Sequence, residues 1–501
     1  MLARIRSATL HGVSGHPVDV EVHVSNGLPG FTVVGLPDAS CREARDRVRA
    51  ALLSSDEEWP SRRVTVNLAP SGLRKSGAGL DLAVAVGILV AIGRIESAAV
   101  EECGFLGELG LDGSIRPVRG ALPLADALET DSLVVSRHNA GEVSLLGRDR
   151  VRPVATLAEL LGVLDGDQPW PPPPDPNMGQ VVRPALDMNE IRGQELPKLA
   201  LALAAAGGHH LLMVGPPGAG KTMLARRMAG LMPALDVDQA LEVTRIHSSA
   251  GELDVACGPM DVPPFRAPHH SASAVSLVGG GSATMRPGEL SLAHHGVLFL
   301  DELGEFSPAA LDGLRQPLEE GEVRVSRGQG SARYPAVVIL VAAMNPCPCG
   351  ESGAPGACRC SDVQRARYHR RVSGPLLDRF DLRIGVQRPT SADLFHSCEA
   401  ESTTIIAQRV ATARARAIDR QGVVNVRLLG SDLDDVAPLE DKARHVLERA
   451  VEQGRLSARG VGRVRSVART IADLDDGHHE IGVEDICLAM SLRIDPFGGV
   501  R

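Results

Sequence analysis

The stretch HLLMVGPPGAGKT, residues 210–222, decides the fold because it joins an apolar strand to a glycine-rich loop, and the helical pattern MLARRMAGLM follows directly. In such a strand–loop–helix unit, glycines let backbone N–H groups surround a phosphate. Lys221 then reaches the β- and γ-phosphates, and the Thr222 hydroxyl binds Mg²⁺. The sequence therefore predicts an α/β fold around ATP held by a P-loop, which comprises Gly215, Pro216, Pro217, Gly218, Ala219, Gly220, Lys221 and Thr222.

Polar side chains follow two further apolar runs of this region. VLFL, residues 297–300, leads into Asp301 and Glu302, and AVVILVAAM, residues 336–344, leads into Asn345. Because open α/β sheets bind ligands at the carboxyl ends of their strands, these groups should meet the P-loop. We expect Asp301 to bind Mg²⁺, Glu302 to polarise the attacking water and Asn345 to orient that water or the γ-phosphate. The alternative for the acidic pair is a strand end that caps the next helix.

Arginines elsewhere could act on the same phosphates. The loop SGPLLDRFD, residues 373–381, carries Arg379, which could complete a neighbouring subunit's ATP site and stabilise charge on the γ-phosphate. A salt bridge between Arg379 and an aspartate of the same chain is the alternative, and the sequence alone favours it. Arg459 and Arg463 lie four residues apart on a predicted helix and therefore share one face. They fit either arginines that touch ATP from a helical lid or a solvated basic stripe.

Composition divides the 501 residues into three folded parts, in line with about 150 residues per domain. Residues 1–165 alternate β-branched runs with helical segments, which predicts an α+β domain. Residues 166–185 contain four consecutive prolines, which favour an extended linker. Strands and helices alternate over 186–398 as in a parallel α/β domain, whereas 399–501 has a helical pattern with no convincing strand.

The overall composition is that of a folded protein and excludes several classes. Hydrophobic residues make up 44% of the chain and charged residues 23%, which excludes a disordered or fibrous protein. The longest apolar run, residues 82–93, is shorter than the roughly 18 residues that cross a bilayer, so we expect no membrane span. The first residues lack the apolar core of a secretory signal, which favours the cytoplasm. A net charge of −9 excludes a uniformly basic nucleic-acid coat, so any polyanion site must be local.

Four of the nine cysteines are candidate metal ligands because they form two CxC pairs within 14 residues. The pairs are Cys347 with Cys349 and Cys358 with Cys360. Four thiolates suit tetrahedral Zn²⁺, which would brace a loop that has little core of its own. Free thiols and redox or iron–sulfur chemistry are the alternatives, since CxC is less usual than CxxC for zinc. The histidine pairs at 269–270 and 294–295 lack the spacing of a catalytic zinc site, and we expect them to serve as hydrogen-bonding groups.

Four segments together resemble the YifB/ComM family, in the magnesium-chelatase-like branch of the AAA+ ATPases. They are GPPGAGKT, FRAPHHSASAVSLVGGGSATMRPGELSLAHHGVLFLDEL, AAMNPCPCG and SGPLLDRFDL. The resemblance implies a P-loop AAA+ core with a C-terminal helical lid, cofactors ATP and Mg²⁺, and a homo-oligomeric, usually hexameric ring. It also implies roles for particular residues: Asp301 and Glu302 as the Walker B pair, Asn345 as sensor 1, Arg379 as an arginine finger acting on a neighbour, and Arg459, with Arg463 as the fallback, as sensor 2.

The resemblance extends to residues 1–165, which look like an N-terminal Lon-protease-like domain. Lon proteases carry a nucleophilic serine and a lysine, but the matching positions here are Gly79 and Leu122. Because glycine offers no nucleophile and leucine no base, we expect no peptidase activity. Lys75 and Ser76 nearby are the remaining candidates for such a pair.

Local positive charge and the family resemblance together make DNA the expected partner. Residues 441–470 carry a net charge of +5 in an acidic protein, although such runs are often merely solvated. The resemblance implies an insert within about 265–290 and a hairpin at 321–336 that face a central pore. Arginines there could grip phosphates, and they are Arg286, Arg324, Arg327 and Arg333. Aromatic residues make up only 2% of the chain, so we expect backbone contacts without sequence reading rather than base stacking.

Two functions from different classes stay open. The first is an ATP-driven ring motor on DNA, which the resemblance connects with helicase and branch-migration activity in recombination or DNA uptake. The second is a magnesium-chelatase-like or chaperone-type remodelling ATPase that acts on a protein partner or inserts a metal.

Overall fold

The structure is a computed structural model with three successive folded parts. Ser76 and residues 174–185 of the expected linker lie outside the residues that it describes. The described ranges are 2–75, 77–173, 186–253, 260–281, 285–327, 330–351, 358–395, 400–428 and 430–495.

The first part, up to residue 165, is a mixed sheet covered by helices. Its strands are β1 (Leu2–His11), β2 (Ser14–Ser25), β3 (Gly30–Val34), β4 (Arg63–Ala69), β5 (Cys103–Leu106), β6 (Glu108–Leu109), β7 (Ile115–Arg116), β8 (Ser132–Ser136) and β9 (Val151–Val154). Seven of them form one sheet in the order β3-β4-β2-β1-β5-β8-β9. Its helices are α1 (Ala39–Ser54), α2 (Asp81–Ile92), α3 (Ala121–Asp126), α4 (Ala140–Val143) and α5 (Leu157–Leu164).

Alternating apolar residues explain the first hairpin and its packing. β1 and β2 pair from Leu2 opposite His23 to His11 opposite Ser14, and Gly12 takes a φ of +66° in the two-residue turn. The inward residues pack on α2, which is buried over most of its 12 residues. Among the described residues, no helix combines the length and apolarity that a bilayer crossing requires.

The second part contains a five-stranded parallel sheet in the order β11-β14-β17-β10-β18. The strands of this part are β10 (Leu211–Val214), β11 (Phe265–Arg266), β12 (Gly279–Gly280), β13 (Arg286–Pro287), β14 (Val297–Leu300), β15 (Glu322–Arg327), β16 (Gly330–Pro335), β17 (Ile339–Met344) and β18 (Leu382–Gly385). Every residue of β10, β14 and β17 is buried, which explains why these strands read as unbroken apolar runs. Because the strands are parallel, their carboxyl ends share one edge of the sheet.

Helices cover both faces of this sheet. They are α6 (Glu195–Gly207), α7 (Lys221–Arg226), α8 (Met228–Leu231), α9 (Val237–Ala250), α10 (Ala274–Val278), α11 (Glu289–Leu292), α12 (Pro308–Gly313), α13 (Arg315–Glu320), α14 (Asp362–His369), α15 (Gly374–Leu377) and α16 (Ser391–Phe395). The expected insert contains β11, α10 and the antiparallel pair β12–β13. The expected hairpin is β15–β16, which directly follows α13.

The third part is helical. It comprises α17 (Thr403–Gln421), α18 (Asp432–Val436), α19 (Asp441–Glu452), α20 (Ala458–Leu474) and α21 (Val483–Ser491), which we call the C-terminal helices. Buried residues of these helices, such as Val410 and Val467, share one hydrophobic core with Leu211 and Met213 of β10. The C-terminal helices therefore cover one face of the parallel sheet, while the β15–β16 hairpin packs in a separate core with its other face.

Candidate nucleotide site

The P-loop leaves β10 at the carboxyl edge of the parallel sheet. Gly218 and Gly220 take φ values of +78° and +90°, which residues with a Cβ rarely adopt. At Gly215, an added Cβ would lie 2.0 Å from the carbonyl oxygen of Val386. The backbone conformation at these three positions therefore requires glycine. This conformation allows the N–H groups of the loop to point toward a phosphate.

Lys221 points back into the P-loop. Its Nζ donates to the carbonyl oxygens of Gly215 at 2.6 Å and Pro216 at 2.9 Å, and to Oδ1 of Asn345 at 3.2 Å. Burial lowers the pKa of Lys221, and the nearby Asp301 carboxylate opposes that shift. The ammonium group thus bridges the P-loop and the end of β17, where phosphate oxygens could replace the carbonyl oxygens.

Two oxygen ligands converge beside this lysine. The Thr222 hydroxyl donates to Oδ2 of Asp301 at 2.7 Å, which joins α7 to the end of β14. A hydroxyl and a carboxylate are hard oxygen donors of the kind that Mg²⁺ prefers. The residue pair therefore fits the expected Mg²⁺.

Glu302 has a partner that the sequence did not single out. The backbone of Glu302 takes a left-handed φ of +52°, which is uncommon for a residue with a Cβ. Its Oε2 lies 3.1 Å from Nδ1 of His270. His270 belongs to a histidine pair that was expected to form hydrogen bonds. That it contacts Glu302 depends on tertiary structure and could not be predicted from the sequence. The contact holds the expected catalytic carboxylate at a defined place on the carboxyl edge.

Arg379 lies at the opposite edge of the sheet, just before β18. Asp381, two residues later, accepts a hydrogen bond at 3.0 Å from the backbone N–H of His210, which directly precedes β10. Four residues of strand separate this edge from the P-loop by about 13 Å. Arg379 Nη2 lies 2.5 Å from Oε1 of Glu319, so the same-chain ion pair exists, with a glutamate rather than the expected aspartate.

Arg459 lies near Arg379, not near the P-loop. Both line a cavity of about 810 Å³ between the amino edge of the sheet and the C-terminal helices, and no residue of 215–222 is part of its described lining. The structure therefore does not bring Arg459 to a nucleotide in its own chain, because α20 begins at the other edge of the sheet. Arg463 donates to the Arg379 carbonyl at 2.9 Å and pairs with Asp381, so it holds this edge together. The cavity has six arginines against three acidic residues, and the arginines are Arg379, Arg414, Arg427, Arg459, Arg463 and Arg465.

The four expected cysteine ligands converge. All four sulfurs lie within 4.8 Å of one another. Cys347 Sγ is 3.4 Å from that of Cys349 and 3.8 Å from that of Cys358, and the latter two are 3.7 Å apart. Four sulfurs about 2.3 Å from a tetrahedral metal lie about 3.8 Å from one another, so this set has the size of a zinc site. The separations are far too long for a disulfide.

A second cluster, of Glu242, His294 and His295, does not fit a metal. Nε2 of His294 and Nε2 of His295 lie 3.1 Å and 2.8 Å from Oε2 of Glu242. The backbone N–H of Val337 donates to Nδ1 of His294 at 3.0 Å, so in the neutral ring Nε2 carries the proton. Burial lowers the pKa of His294 to about 4, which keeps the ring neutral. A protonated nitrogen cannot bind a metal, and these histidines act as hydrogen-bonding groups.

The basic segment 441–470 does not form one exposed face. Arg469 is 1% exposed and donates to two backbone carbonyls, and Arg465 pairs with Asp434 at 2.7 Å. Part of the positive charge therefore stabilises the C-terminal helices and is not available to DNA. Lys442, Arg444 and Arg449 are exposed on α19.

The hairpin presents its arginines differently. Arg324 lies directly opposite Arg333, and both are exposed, whereas Val323 and Tyr334 beside them are buried. Arg286 on β13 is also exposed, and the side chain of Arg327 lies outside the described structure. Nε of Arg324 lies 2.5 Å from Oε1 of Glu322 and 3.9 Å from Oε2 of Glu320, which offsets part of the positive charge. Arg333 adds a like charge directly opposite, so this exposed face can still take an anionic partner.

In the first part, the positions expected to match the Lon catalytic pair hold neither a nucleophile nor a base. Gly79 precedes α2, and Leu122 is fully buried in α3. Lys75 is buried, its Nζ donates to the Pro70 carbonyl, and burial lowers the pKa of Lys75. Ser76 lies outside the described residues.

An acidic pair at the end of β14 and a polar residue at the end of β17, both facing the P-loop, define a P-loop ATPase. Three family models match the chain: "Magnesium chelatase, subunit ChlI" over residues 187–394, "Subunit ChlI of Mg-chelatase" over 20–139 and "Magnesium chelatase, subunit ChlI C-terminal" over 400–493.

Similar proteins match the chain from end to end. An uncharacterized protein of Mycobacterium tuberculosis is 43% identical over 98% of both chains. "Competence protein ComM" of Haemophilus influenzae is 40% identical over 98% of this chain and 97% of its own, and "Uncharacterized protein YifB" of Escherichia coli is 41% identical over 95% and 94%. The chain therefore belongs to the YifB/ComM family of magnesium-chelatase-like AAA+ ATPases.

Proposed function

We propose that this protein is an ATP-hydrolysing ring motor that acts on DNA as a helicase or branch-migration factor in recombination or DNA uptake. The observation that carries the proposal is the convergence of Lys221, Thr222, Asp301 and Asn345 on one P-loop. The relative named competence protein, which matches along the full chain, supports the link to DNA.

The residues of the site divide the work of hydrolysis. The backbone N–H groups of the P-loop and the Lys221 ammonium bind the phosphates, and Thr222 and Asp301 would hold Mg²⁺. When bound, Mg²⁺ neutralises charge on the phosphate oxygens. Glu302 polarises the attacking water and Asn345 orients it. Both residues follow strands that end beside the P-loop, so both can reach that water.

A second copy of the chain completes this site. Arg379 and Arg459 are on the edge remote from their own P-loop, in a cavity rich in arginine. In a ring, preferably a hexamer, each such edge would face the P-loop of the next subunit, and Arg379 would stabilise charge on its γ-phosphate. Hydrolysis is then coupled to assembly.

The remaining parts serve the motor. The exposed Arg324 and Arg333 of the β15–β16 hairpin contact the DNA backbone, and the C-terminal helices act as the lid. Residues 1–165 form a Lon-protease-like domain without peptidase activity. The four cysteines hold zinc, for which metal analysis of protein purified without chelator should give about one zinc per chain.

The decisive measurement is the ATPase rate with and without forked or four-way-junction DNA. We expect DNA to stimulate the rate, and Glu302→Gln to lower kcat by about 10² to 10⁴ while nucleotide still binds. A rate that ignores DNA, together with no salt-sensitive DNA binding, would instead favour a chelatase-like or chaperone-type remodeller of a protein partner.

Mixing two inactive variants tests the shared site. Lys221→Ala subunits keep Arg379, and Arg379→Ala subunits keep an intact P-loop. Each variant alone should lose at least about 10³ in kcat, whereas the mixture should recover activity where the two kinds of subunit meet. A mixture as inactive as its components would exclude an arginine supplied by the neighbour.

A further inference from the structure

We propose that the four-cysteine site is coupled to nucleotide binding: the metal-loaded cysteines hold the P-loop in its binding conformation, so that zinc and nucleotide strengthen each other's binding. This inference rests on the proposed function, since it assumes that the P-loop binds ATP and the cysteines bind zinc. Three contacts carry it, and each joins the cysteine-bearing segment to the nucleotide site.

The first contact runs along the chain. Cys347 comes two residues after Asn345, which accepts a hydrogen bond from Lys221 at 3.2 Å. Cys347, three residues after the last residue of β17, is fully buried. A ligand that fixes Cys347 therefore also fixes the backbone that presents Asn345 to the phosphate-binding lysine.

The second contact is between loops. Gly350 follows Cys349 and takes a φ of +81°, and its N–H donates to the Cys347 carbonyl at 2.9 Å. A Cβ at Gly350 would lie 2.5 Å from Cδ of Pro217 in the P-loop, so the two loops touch with no space between them. We call residues 347–350 the cysteine turn. Displacing this turn would remove a surface against which the P-loop packs.

The third contact is a polar bridge. Arg388 donates from Nε to the Pro217 carbonyl at 3.2 Å and from Nη2 to Oε1 of Glu351 at 2.6 Å. Arg388 thus ties the P-loop to the residue that follows the cysteine turn.

The metal supplies the order that these contacts need. Eight residues of chain separate the pair Cys347 and Cys349 from the pair Cys358 and Cys360, and bringing the two pairs together costs loop entropy that metal binding offsets. Without metal, Gly350 and Glu351 are no longer held in place by metal-bound cysteines on either side of them. Because coupling between two sites is reciprocal, nucleotide must raise zinc affinity by the factor by which zinc raises nucleotide affinity.

The experiment measures both directions on the full-length protein. Zinc affinity is obtained by competition with a chromogenic chelator, with and without a slowly hydrolysed ATP analogue, and nucleotide affinity with a fluorescent ATP analogue. We expect saturating nucleotide to raise zinc affinity about tenfold. Cys349→Ser and Cys358→Ser should lose zinc and bind nucleotide about tenfold more weakly, whereas Cys487→Ser, at an exposed cysteine outside the cluster, should change neither affinity.

A further variant separates coupling from loss of folding. Arg388→Met should retain zinc while nucleotide binding weakens severalfold and the effect of nucleotide on zinc affinity shrinks. Wild-type protein that binds both ligands with independent affinities would overturn the coupling and leave the proposed function intact. Wild-type protein that binds no nucleotide would overturn the proposed function itself, and wild-type protein without zinc would overturn the metal site and this coupling with it.

Discussion

Glu302 and Arg379, the two groups expected to act on the γ-phosphate from opposite sides, are each held by a side chain distant in sequence. His270 lies 3.1 Å from the Glu302 carboxylate, and Glu319 lies 2.5 Å from the Arg379 guanidinium. The first contact positions the proposed general base on the carboxyl edge. The second occupies an arginine that, in the proposed ring, must leave its partner to reach a neighbour's phosphate. Opposite effects are therefore expected when these two partners are removed.

Replacing His270 by Ala should lower kcat about tenfold with little change in KM, because Glu302 loses the contact that orients its carboxylate. His270→Asn, which can still donate a hydrogen bond, should restore part of the rate. The matched control is His269→Phe, since His269 bonds to Ser271 and a phenyl ring keeps the packing against His270, whose ring centroid lies 4.0 Å away. Steady-state ATPase kinetics give the answer, and an unchanged kcat in His270→Ala would make the contact incidental.

Replacing Glu319 by Gln should raise ATPase activity about two- to fivefold at protein concentrations where assembly is incomplete, because Arg379 no longer gives up an ion pair. Glu320→Gln, assayed without DNA, is the control, since Glu320 contacts Gln316 at 2.7 Å and Arg324 at 3.9 Å rather than Arg379. Activity is followed as a function of protein concentration. A rate equal to that of the wild type across this range would show that Glu319 does not compete for Arg379.

At the scale of elements, the β15–β16 hairpin has one buried face and one exposed face, because its residues alternate between the two. Val323, Val325 and Tyr334 face the core, and their alternation along the strands leaves Arg324 and Arg333 exposed side by side. A hairpin of this kind can carry charge without losing its anchor. Its arginines are thus better placed for DNA than Arg463, Arg465 and Arg469 of α20, which are partly or fully buried.

Replacing Arg324 and Arg333 together by Ala should weaken DNA binding and reduce the slope of log affinity against log salt by about 1.8 on duplex DNA or about 1.4 on single strands, the loss expected for two phosphate contacts. Lys442→Ala with Arg444→Ala, on the exposed face of α19, is the matched double variant. Binding is measured by fluorescence anisotropy at several salt concentrations. Loss of slope in the α19 variant alone would move the DNA site to the C-terminal helices.

Local sequence predicted those parts of the site that lie on one strand end or one loop. Asp301 and Asn345 were predictable because a polar residue that directly follows an apolar strand lies at the sheet edge. The P-loop glycines were predictable from their spacing between an apolar strand and a helix. The positions of Arg459 and Glu319 were not predictable from the sequence, because they depend on where α20 and α13 pack against the sheet. The basic segment 441–470 misled for the same reason, since sequence shows the charge of Arg469 but not its burial.

At the scale of the whole molecule, the first part is bonded to the ATPase core at α9 and at the hairpin. The Ser248 carbonyl accepts from the Gly120 N–H at 3.0 Å, and its hydroxyl donates to Oε2 of Glu142 at 2.7 Å. His11, at the end of β1, lies 3.1 Å from the Ser331 carbonyl of the hairpin. The N-terminal part therefore braces the element that we assign to DNA, a role that needs no catalytic residues.

Buried histidines should make the stability of the whole molecule depend on pH. Burial lowers the pKa of His209, His210 and His294 to about 4, against about 6.5 in an unfolded chain. Between these values the unfolded chain binds more protons than the folded chain, so the free energy of unfolding falls as the pH falls from 6.5 toward 4. Asp81, whose pKa burial raises to about 6, has the opposite sign, since its folded form binds the extra proton.

Burial also lowers the pKa of His247, whereas burial raises the pKa of Glu142 and the hydrogen bond to Asp485 raises that of His478. Four histidines with lowered pKa values therefore stand against three groups with raised ones, and we expect the denaturant midpoint of unfolding to decrease when the pH is lowered from 7 to 5. Each pKa unit is worth about 1.4 kcal/mol, and removing one of these histidines should make the decrease smaller. His294→Gln keeps a polar side chain but does not titrate, and His138→Gln, at an exposed position, should behave as the wild type. Urea titrations at pH 7, 6 and 5 test this, and an equal decrease in His294→Gln and the wild type would show that His294 is protonated equally in both states.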